Sequence, residues 1–158
     1  MKPEVCCDQV STEALLPFLL ELLSENKAIN MRVTGNSMMP LWRDRVDSVI
    51  LKKPDTIKNL DVVLYVQDGG KAILHRIVKC RKEGYYIVGD NQMDIDGPIR
   101  PNQIKAVVTD FWRSGRLYSC KQWWCRFYAF VWGHCLMFRP VLLPLVRIGK
   151  CFVKRMKR

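Results

Sequence analysis

The sequence predicts a mainly β fold. A compact, mostly antiparallel domain covers residues 30–110. A helical segment (residues 1–29) precedes it and a basic, aromatic-rich tail (residues 111–158) follows it. Three observations carry this reading. The apolar period changes from helical to strand-like near residue 30. Turn-forming residues then punctuate the chain at short intervals. Finally, the charge pattern breaks near residue 110. Residues 1–110 hold 15 Lys/Arg and 15 Asp/Glu, whereas residues 111–158 hold 11 Lys/Arg and no acid. A neutral body with one cationic segment excludes a uniformly basic nucleic-acid coat. Apolar residues make up 49% and charged residues 26%, which excludes a wholly disordered chain.

Residues 11–29 read as one helix, because Leu15, Leu16, Leu19, Leu20, Leu22 and Leu23 recur at helical spacing, with Ser11 as a cap. Pro17 inside this run predicts a late start or a kink. Strands are expected at Val46–Leu51, Val62–Val66, Ala72–Val78, Tyr85–Val88 and Ile104–Thr109. Turns are expected at Lys53-Pro54-Asp55, Asp68-Gly69-Gly70, Glu83-Gly84 and Asp96-Gly97-Pro98. Asp68-Gly69-Gly70 between two β-rich runs is the strongest hairpin signal. The tail carries four of the five Trp residues and two apolar pieces, Phe127–Phe138 and Pro140–Val146, separated by Arg139. Neither piece is long enough to cross a bilayer. Joined, they would bury Arg139 at a cost of roughly 2.5–3.5 kcal/mol. Interfacial or re-entrant helices fit this composition better.

Seven cysteines without regular spacing make a poor disulfide framework, and the absence of a C-x-x-C pair argues against a zinc ribbon. They read as reduced thiols. The leucine-rich N-terminal stretch is short, is interrupted by Pro17 and Glu21, and lacks a small-residue cleavage motif. It therefore does not read as a secretory signal.

Three short stretches hold the residues able to do chemistry. Ser37 lies in Thr34-Gly35-Asn36-Ser37-Met38-Met39-Pro40, where Gly35 permits a sharp turn and Pro40 fixes the exit. By itself this is a loop serine. His75 lies in Leu74-His75-Arg76-Ile77-Val78 and shares a strand face with Ile73 and Ile77. By itself it is a core or edge histidine. The second histidine, His134, reads as packed or interfacial. Asp90, Asp94 and Asp96 crowd a polar loop that does not match the spacing of a calcium loop.

Taken together and in this order, Gly35-Asn36-Ser37-Met38-Met39-Pro40, Leu74-His75-Arg76-Ile77-Val78 and Gly89-Asp90-Asn91 with Asp96 resemble the signal peptidase I group of serine peptidases. They are also similar to the wider clan that includes LexA-type repressors. The histidine box is similar to the archaeal and endoplasmic-reticulum branch, where histidine replaces the bacterial lysine. The resemblance covers about residues 30–110. It implies a coiled, mainly β fold of the signal peptidase/LexA type and serine endopeptidase activity without cofactor or metal. It implies Ser37 as nucleophile, His75 as general base and Asp96 as the orienting acid, with Asp90 as the alternative acid. Asn36 and Met38 flank the nucleophile in oxyanion or positioning roles, beside the Ser37 backbone N–H. Some family members carry a serine hydroxyl two residues before the nucleophile. Gly35 stands there, with Thr34 or Asn36 as substitutes, and a missing donor typically costs about 2.7–4 kcal/mol in the barrier. Asp47 falls at a structural Gly-Asp pair in which Val46 replaces the glycine. Lys71 and Lys79 flank His75 but lie off the motif position, so a Ser37–Lys dyad ranks below Ser37–His75.

The chemistry agrees with these roles. A serine hydroxyl is a weak nucleophile that needs a base within hydrogen-bond reach, and histidine titrates in the useful range. The cationic tail predicts attachment to the cytoplasmic face of an anionic membrane, at roughly 1 kcal/mol per charge. There the enzyme would remove a leader or signal peptide, beside a transporter or modifying enzyme, and would not bind nucleic acid. Two other functions compete. A self-cleaving regulator of the LexA kind needs a DNA-binding domain and an Ala-Gly or Cys-Gly bond, yet about 30 residues precede the serine box and neither pair occurs. A non-catalytic membrane-binding module would use the tail alone.

Overall fold

The structure is a computed structural model and describes residues 12–134. Helix α1 (Thr12–Ser24) precedes eight strands: β1 (Ile29–Arg32), β2 (Ser48–Lys52), β3 (Val62–Val66), β4 (Ala72–Arg81), β5 (Gly84–Val88), β6 (Asp96–Ile99), β7 (Ile104–Arg113) and β8 (Arg116–Ser119). A short 3-10 turn (Pro101–Gln103) separates β6 from β7, and helix α2 (Trp123–His134) follows β8. The strands form one antiparallel sheet ordered β1-β2-β7-β3-β4-β5-β6, with β8 paired to the end of β7. The mainly β architecture with a helix at each end agrees with the fold class read from the sequence.

Several expected boundaries move. The first helix stops at Ser24, five residues short of the expected end. Asn26 takes a left-handed conformation (φ 57°), the Lys27 N–H bonds the Leu22 carbonyl and the Asn26 N–H bonds the Leu23 carbonyl. These two bonds satisfy the end carbonyls and turn the chain away. Ile29, expected to be helical, instead starts β1 opposite Leu51. Asp96-Gly97-Pro98, expected to be a turn, lies in β6. That strand forms the sheet edge, where a proline lacking an N–H removes no ladder bond. The expected domain limit between residues 110 and 111 falls inside β7. Phe111 is only 1% exposed and packs against Trp42, Tyr118 and Trp124 at centroid distances of 5.6, 5.5 and 6.1 Å. The change in charge marks a change in what faces solvent, whereas the core continues past it. The Asp68-Gly69-Gly70 hairpin forms as expected between β3 and β4, closed by the bond from the Gly70 N–H to the Gln67 carbonyl.

Alternation along the central strands builds two cores, one on each face of the sheet. From β3, Val62 and Leu64 join a cluster with Leu19, Leu23, Trp42, Val108 and Phe111, while Val63 and Tyr65 join Ile77, Ile87, Ile99 and Ile104. Irregular pairings at Ile50/Leu51, Leu64/Tyr65, Ile77/Lys79 and Tyr85/Ile87 interrupt the ladders. Such bulges increase local twist and curl a sheet around its contents. On β4 the period of two sends neighbours to opposite faces. His75 therefore meets Tyr65, and Arg76 meets Tyr128 of α2. No helix among the described residues is long and apolar enough to cross a membrane. The apolar piece expected to begin at Phe127 falls partly in α2, and the remainder, with Pro140–Val146, lies outside the described residues.

Candidate active site

The Ser37 turn is held from three directions. Gly35 has φ 84°, a conformation that L side chains rarely adopt, and its N–H donates to Asp44 Oδ1 at 2.8 Å. Met38 is 1% exposed and drives its side chain into the core beneath the turn. From the far side, the Asn91 backbone N–H donates to the Ser37 carbonyl at 2.7 Å, and the Asn91 amide donates to the Asn36 carbonyl at 3.1 Å. Gly89 makes this approach possible, because a Cβ there would lie 2.8 Å from the Ser37 carbonyl oxygen. The Gly-Asp-Asn stretch thus clamps the backbone on which Ser37 sits. Ser37 is half-buried and Asn36 is exposed.

His75 sits on β4 opposite Val63 and is 4% exposed. Its Nδ1 lies 3.7 Å from Asp96 Oδ2, too long for a hydrogen bond, and the two attract as charges only when the ring is protonated. That Nδ1 has no hydrogen-bond partner in this arrangement. Asp96 Oδ2 instead accepts the Tyr65 hydroxyl at 2.7 Å. Tyr65 lies on β3 diagonal to His75, with ring centroids 6.1 Å apart. Burial and the adjacent Asp96 charge push the Tyr65 phenol well above its ordinary range, so it stays protonated and donates. Burial holds the His75 pKa below its ordinary value, opposed by the charges of Asp96 and Asp90. The ring is therefore neutral near pH 7, the state a general base requires. Because the folded value lies below the unfolded one, the stability His75 contributes is present above about pH 6.5 and is lost as pH falls through its folded pKa.

Of the two acids expected near the histidine, Asp96 stands beside it, while Asp90 is committed elsewhere. Asp90 is fully buried and accepts from Arg76 Nε and Nη2, both at 2.8 Å, and from the Tyr128 hydroxyl at 3.2 Å. Arg76 also donates to the Leu60 carbonyl at 3.0 Å, and the Asp90 carbonyl accepts the Trp132 indole N–H at 2.6 Å. Asp47, expected to be structural, is fully buried and held by Arg43 through its backbone N–H (2.8 Å), Nε (3.0 Å) and Nη2 (2.7 Å). Burial pushes its carboxyl up, but these bonds outweigh burial and hold it below its usual value. Lys71 and Lys79 are both exposed. Cys120 and Cys125 are free thiols pushed up by burial to about 12 and about 11, so neither is a thiolate nucleophile near neutral pH.

Tyr65 is the site residue that sequence reasoning misses. It stands in an apolar run, Val62-Val63-Leu64-Tyr65-Val66, where an aromatic reads as core. Only the β3–β4 register and the β5–β6 pairing carry its hydroxyl to an acid 31 positions away. If Asp96 orients His75, Asp96→Asn lowers kcat/KM on a cleaved peptide about 10²-fold, the typical cost of a misplaced catalytic group. Asp96 charge favours the imidazolium, so its removal also moves the acid limb of the pH–rate profile further below 6.5. A rate profile identical to that of the wild type would remove Asp96 from the mechanism.

The described residues thus include a turn-mounted serine, a buried histidine whose Nδ1 lies 3.7 Å from an acid, and a Gly-Asp-Asn loop that holds the serine backbone, the residue types that acyl transfer uses. A search of curated proteins finds no match to the chain. Comparison with protein families matches residues 3–108, about two-thirds of the chain, to the family described as Peptidase S24-like. That span contains Ser37, His75 and Asp96 and most of both core faces, and the chain accordingly belongs to the Peptidase S24-like family, a serine-peptidase type of hydrolase.

Proposed function

We propose that the protein is a signal peptidase I-like serine endopeptidase that removes a leader or signal peptide at a membrane surface, with His75 as its base. The observation that carries this reading is a buried, neutral His75 with its Nδ1 turned to Asp96. This geometry leaves Nε2 to exchange protons. In the reaction Nε2 takes the Ser37 hydroxyl proton while Oγ bonds the substrate carbonyl carbon. The carbon–nitrogen bond then breaks, and the same proton leaves on the amine. Water, deprotonated in turn by Nε2, hydrolyses the acyl ester and regenerates Ser37. Among the described residues no hydrogen bond joins the Ser37 hydroxyl to the His75 ring. The mechanism requires the hydroxyl and the ring to come within hydrogen-bond reach when a peptide is bound, as catalytic contacts often tighten only in the complex.

The membrane setting rests on the acid-free basic stretch after residue 110 and on the exposed Trp123, Phe127 and Phe130. On this reading the enzyme works on the cytoplasmic face of an anionic membrane, beside a transporter or modifying enzyme that handles the same small precursor. The family match favours a second reading, a self-cleaving regulator. One experiment separates the two. Incubated with synthetic leader peptides, the protein releases the leader in multiple turnovers and stays intact itself. A fluorophosphonate adduct maps to Ser37 by mass spectrometry. Two fragments from the protein incubated alone at raised pH would replace the first reading with the second, and an adduct elsewhere would remove Ser37.

A further inference from the structure

Helix α2 has two unlike faces. Cys125, Ala129 and Trp132 are buried against the sheet side, while Trp123, Phe127 and Phe130 are exposed by 79%, 64% and 56%. The exposed aromatics are spaced four and three residues apart, so they share one side of the helix. Three large apolar side chains turned together toward solvent call for a cover. The exposed cations Lys121 and Arg126 border this face, and the 24 residues after His134 add seven Lys/Arg and no acid. Aromatics ringed by cations match the boundary of an anionic bilayer, where rings enter the headgroup layer and cations pair with lipid phosphates. A nucleic-acid backbone would use the cations and leave the aromatic row unburied.

The inner face reaches the candidate active site. Trp132 donates its indole N–H to the Asp90 carbonyl at 2.6 Å, and Tyr128 donates its hydroxyl to the Asp90 carboxylate at 3.2 Å. The two rings stack at 5.4 Å, and the Arg76 guanidinium lies 5.6 Å from the Tyr128 ring centroid. The next residue, Asn91, holds the backbone of Asn36 and Ser37. A continuous polar path therefore runs from α2 through Asp90 and Asn91 to the nucleophile turn. Between α2 and the sheet lies a cavity of about 380 Å³, bordered by Leu60, Arg76, Phe111 and Cys125 and also by Phe127 and Phe130 of the exposed row.

We propose that α2 couples membrane docking to nucleophile placement: its outer face, Trp123, Phe127 and Phe130, seats on an anionic bilayer, and its inner face then fixes Asp90 and, through Asn91, Ser37. The proposal deepens the peptidase reading and rests on it, with Tyr128 and Trp132 as positioning residues. Docking damps excursions of α2 from Asp90, and the Asn91 N–H bond to Ser37 opens less often.

The test uses the full chain with vesicles of phosphatidylcholine and phosphatidylglycerol, and with pure phosphatidylcholine vesicles as the neutral control. Amide hydrogen exchange over residues 89–92 is followed alongside cosedimentation. With anionic vesicles the protein cosediments, and exchange at Asn91 slows roughly tenfold, the equivalent of about one hydrogen bond. Trp132→Phe keeps an aromatic ring but loses the indole donor; it cosediments as the wild type does without the slowing. Tyr128→Phe gives a second inner-face variant should Trp132→Phe fail to fold. Trp123→Ser with Phe127→Ser loses both cosedimentation and slowing. Cosedimentation without a change at residues 89–92, or equal slowing in folded inner-face variants, would overturn the coupling. Retention by duplex DNA but not by anionic vesicles would overturn the lipid occupant. Vesicle-dependent exchange in a chain that cleaves no peptide would leave the coupling standing and remove the peptidase reading.

Discussion

Ser37→Ala and His75→Ala each lower kcat on a cleavable leader peptide by at least about 10⁴-fold, and the double variant is hardly slower than either single one. In the proposed mechanism the two groups act as one unit. Without the hydroxyl there is no acyl-enzyme to form, and without the ring the hydroxyl keeps its proton. Removing the second member of such a pair therefore takes away little that the first had left. Substrate binding and backbone donors near the turn survive in all three variants and leave residual catalysis over water. The Ser37 backbone is already held by Asn91 and by the buried Met38, so Ser37→Ala melts close to the wild type. His75→Ala opens space beside Tyr65, so His75→Gln serves as its control, with a side chain of similar reach that cannot titrate near neutral pH. The measurements are steady-state cleavage and thermal unfolding of each variant. Additive losses in kcat, or an active His75→Gln, would show that the serine and the histidine do not share a proton.

Arg76→Met destabilises the fold by about 3–5 kcal/mol, the usual cost of leaving a buried charge without its partner. Arg76 and Asp90 are 3% and 0% exposed and meet through two bonds of 2.8 Å. Burial alone would lower the Arg76 pKa, but the adjacent Asp90 charge and its hydrogen bonds raise it. Methionine fills much of the arginine stem volume, so the loss reports the abandoned carboxylate more than a void. Replacing both partners, as Arg76→Met with Asp90→Leu, recovers much of the stability in urea unfolding, because no buried charge remains. It does not recover turnover, because the loop that carries Asn91 to the Ser37 backbone has lost its polar anchor. An Arg76→Met variant as stable as the wild type would show that solvent reaches Asp90, and that the pair is not the anchor between β4 and the nucleophile clamp.

The two candidate site residues easiest to find in the sequence were those whose chemistry is written into a short neighbourhood. Gly35 and Pro40 around Ser37 announce a sharp turn, and the turn forms with Gly35 at positive φ. Alternation along Leu74-His75-Arg76-Ile77 announces a strand with neighbours on opposite faces, and β4 sends His75 and Arg76 to different cores. Asp68-Gly69-Gly70 announces a hairpin because few other residues adopt its backbone angles. Errors arose where a local signal had two structural outcomes. Asp96-Gly97-Pro98 has turn composition but becomes an edge strand, since an edge tolerates a residue without an N–H. The acid-free stretch after residue 110 looked like a separate tail, yet Phe111 is core and Trp132 reaches the clamp loop.

The central strands, the Asp68-Gly69-Gly70 hairpin and the residue types able to act as nucleophile, base and acid were thus legible in the sequence itself, through backbone preferences and period-two patterning that operate over a few residues, whereas β1, β6 and β8 were not expected as strands. The attachment of Tyr65 to Asp96 and the docking of α2 on the loop that holds Ser37 were decided only by the tertiary structure. Each depends on side chains 31 to 42 positions apart meeting across strand register or helix packing. A buried polar group must find a partner wherever the fold delivers one, and that delivery is a property of the assembled sheet rather than of any short stretch of chain.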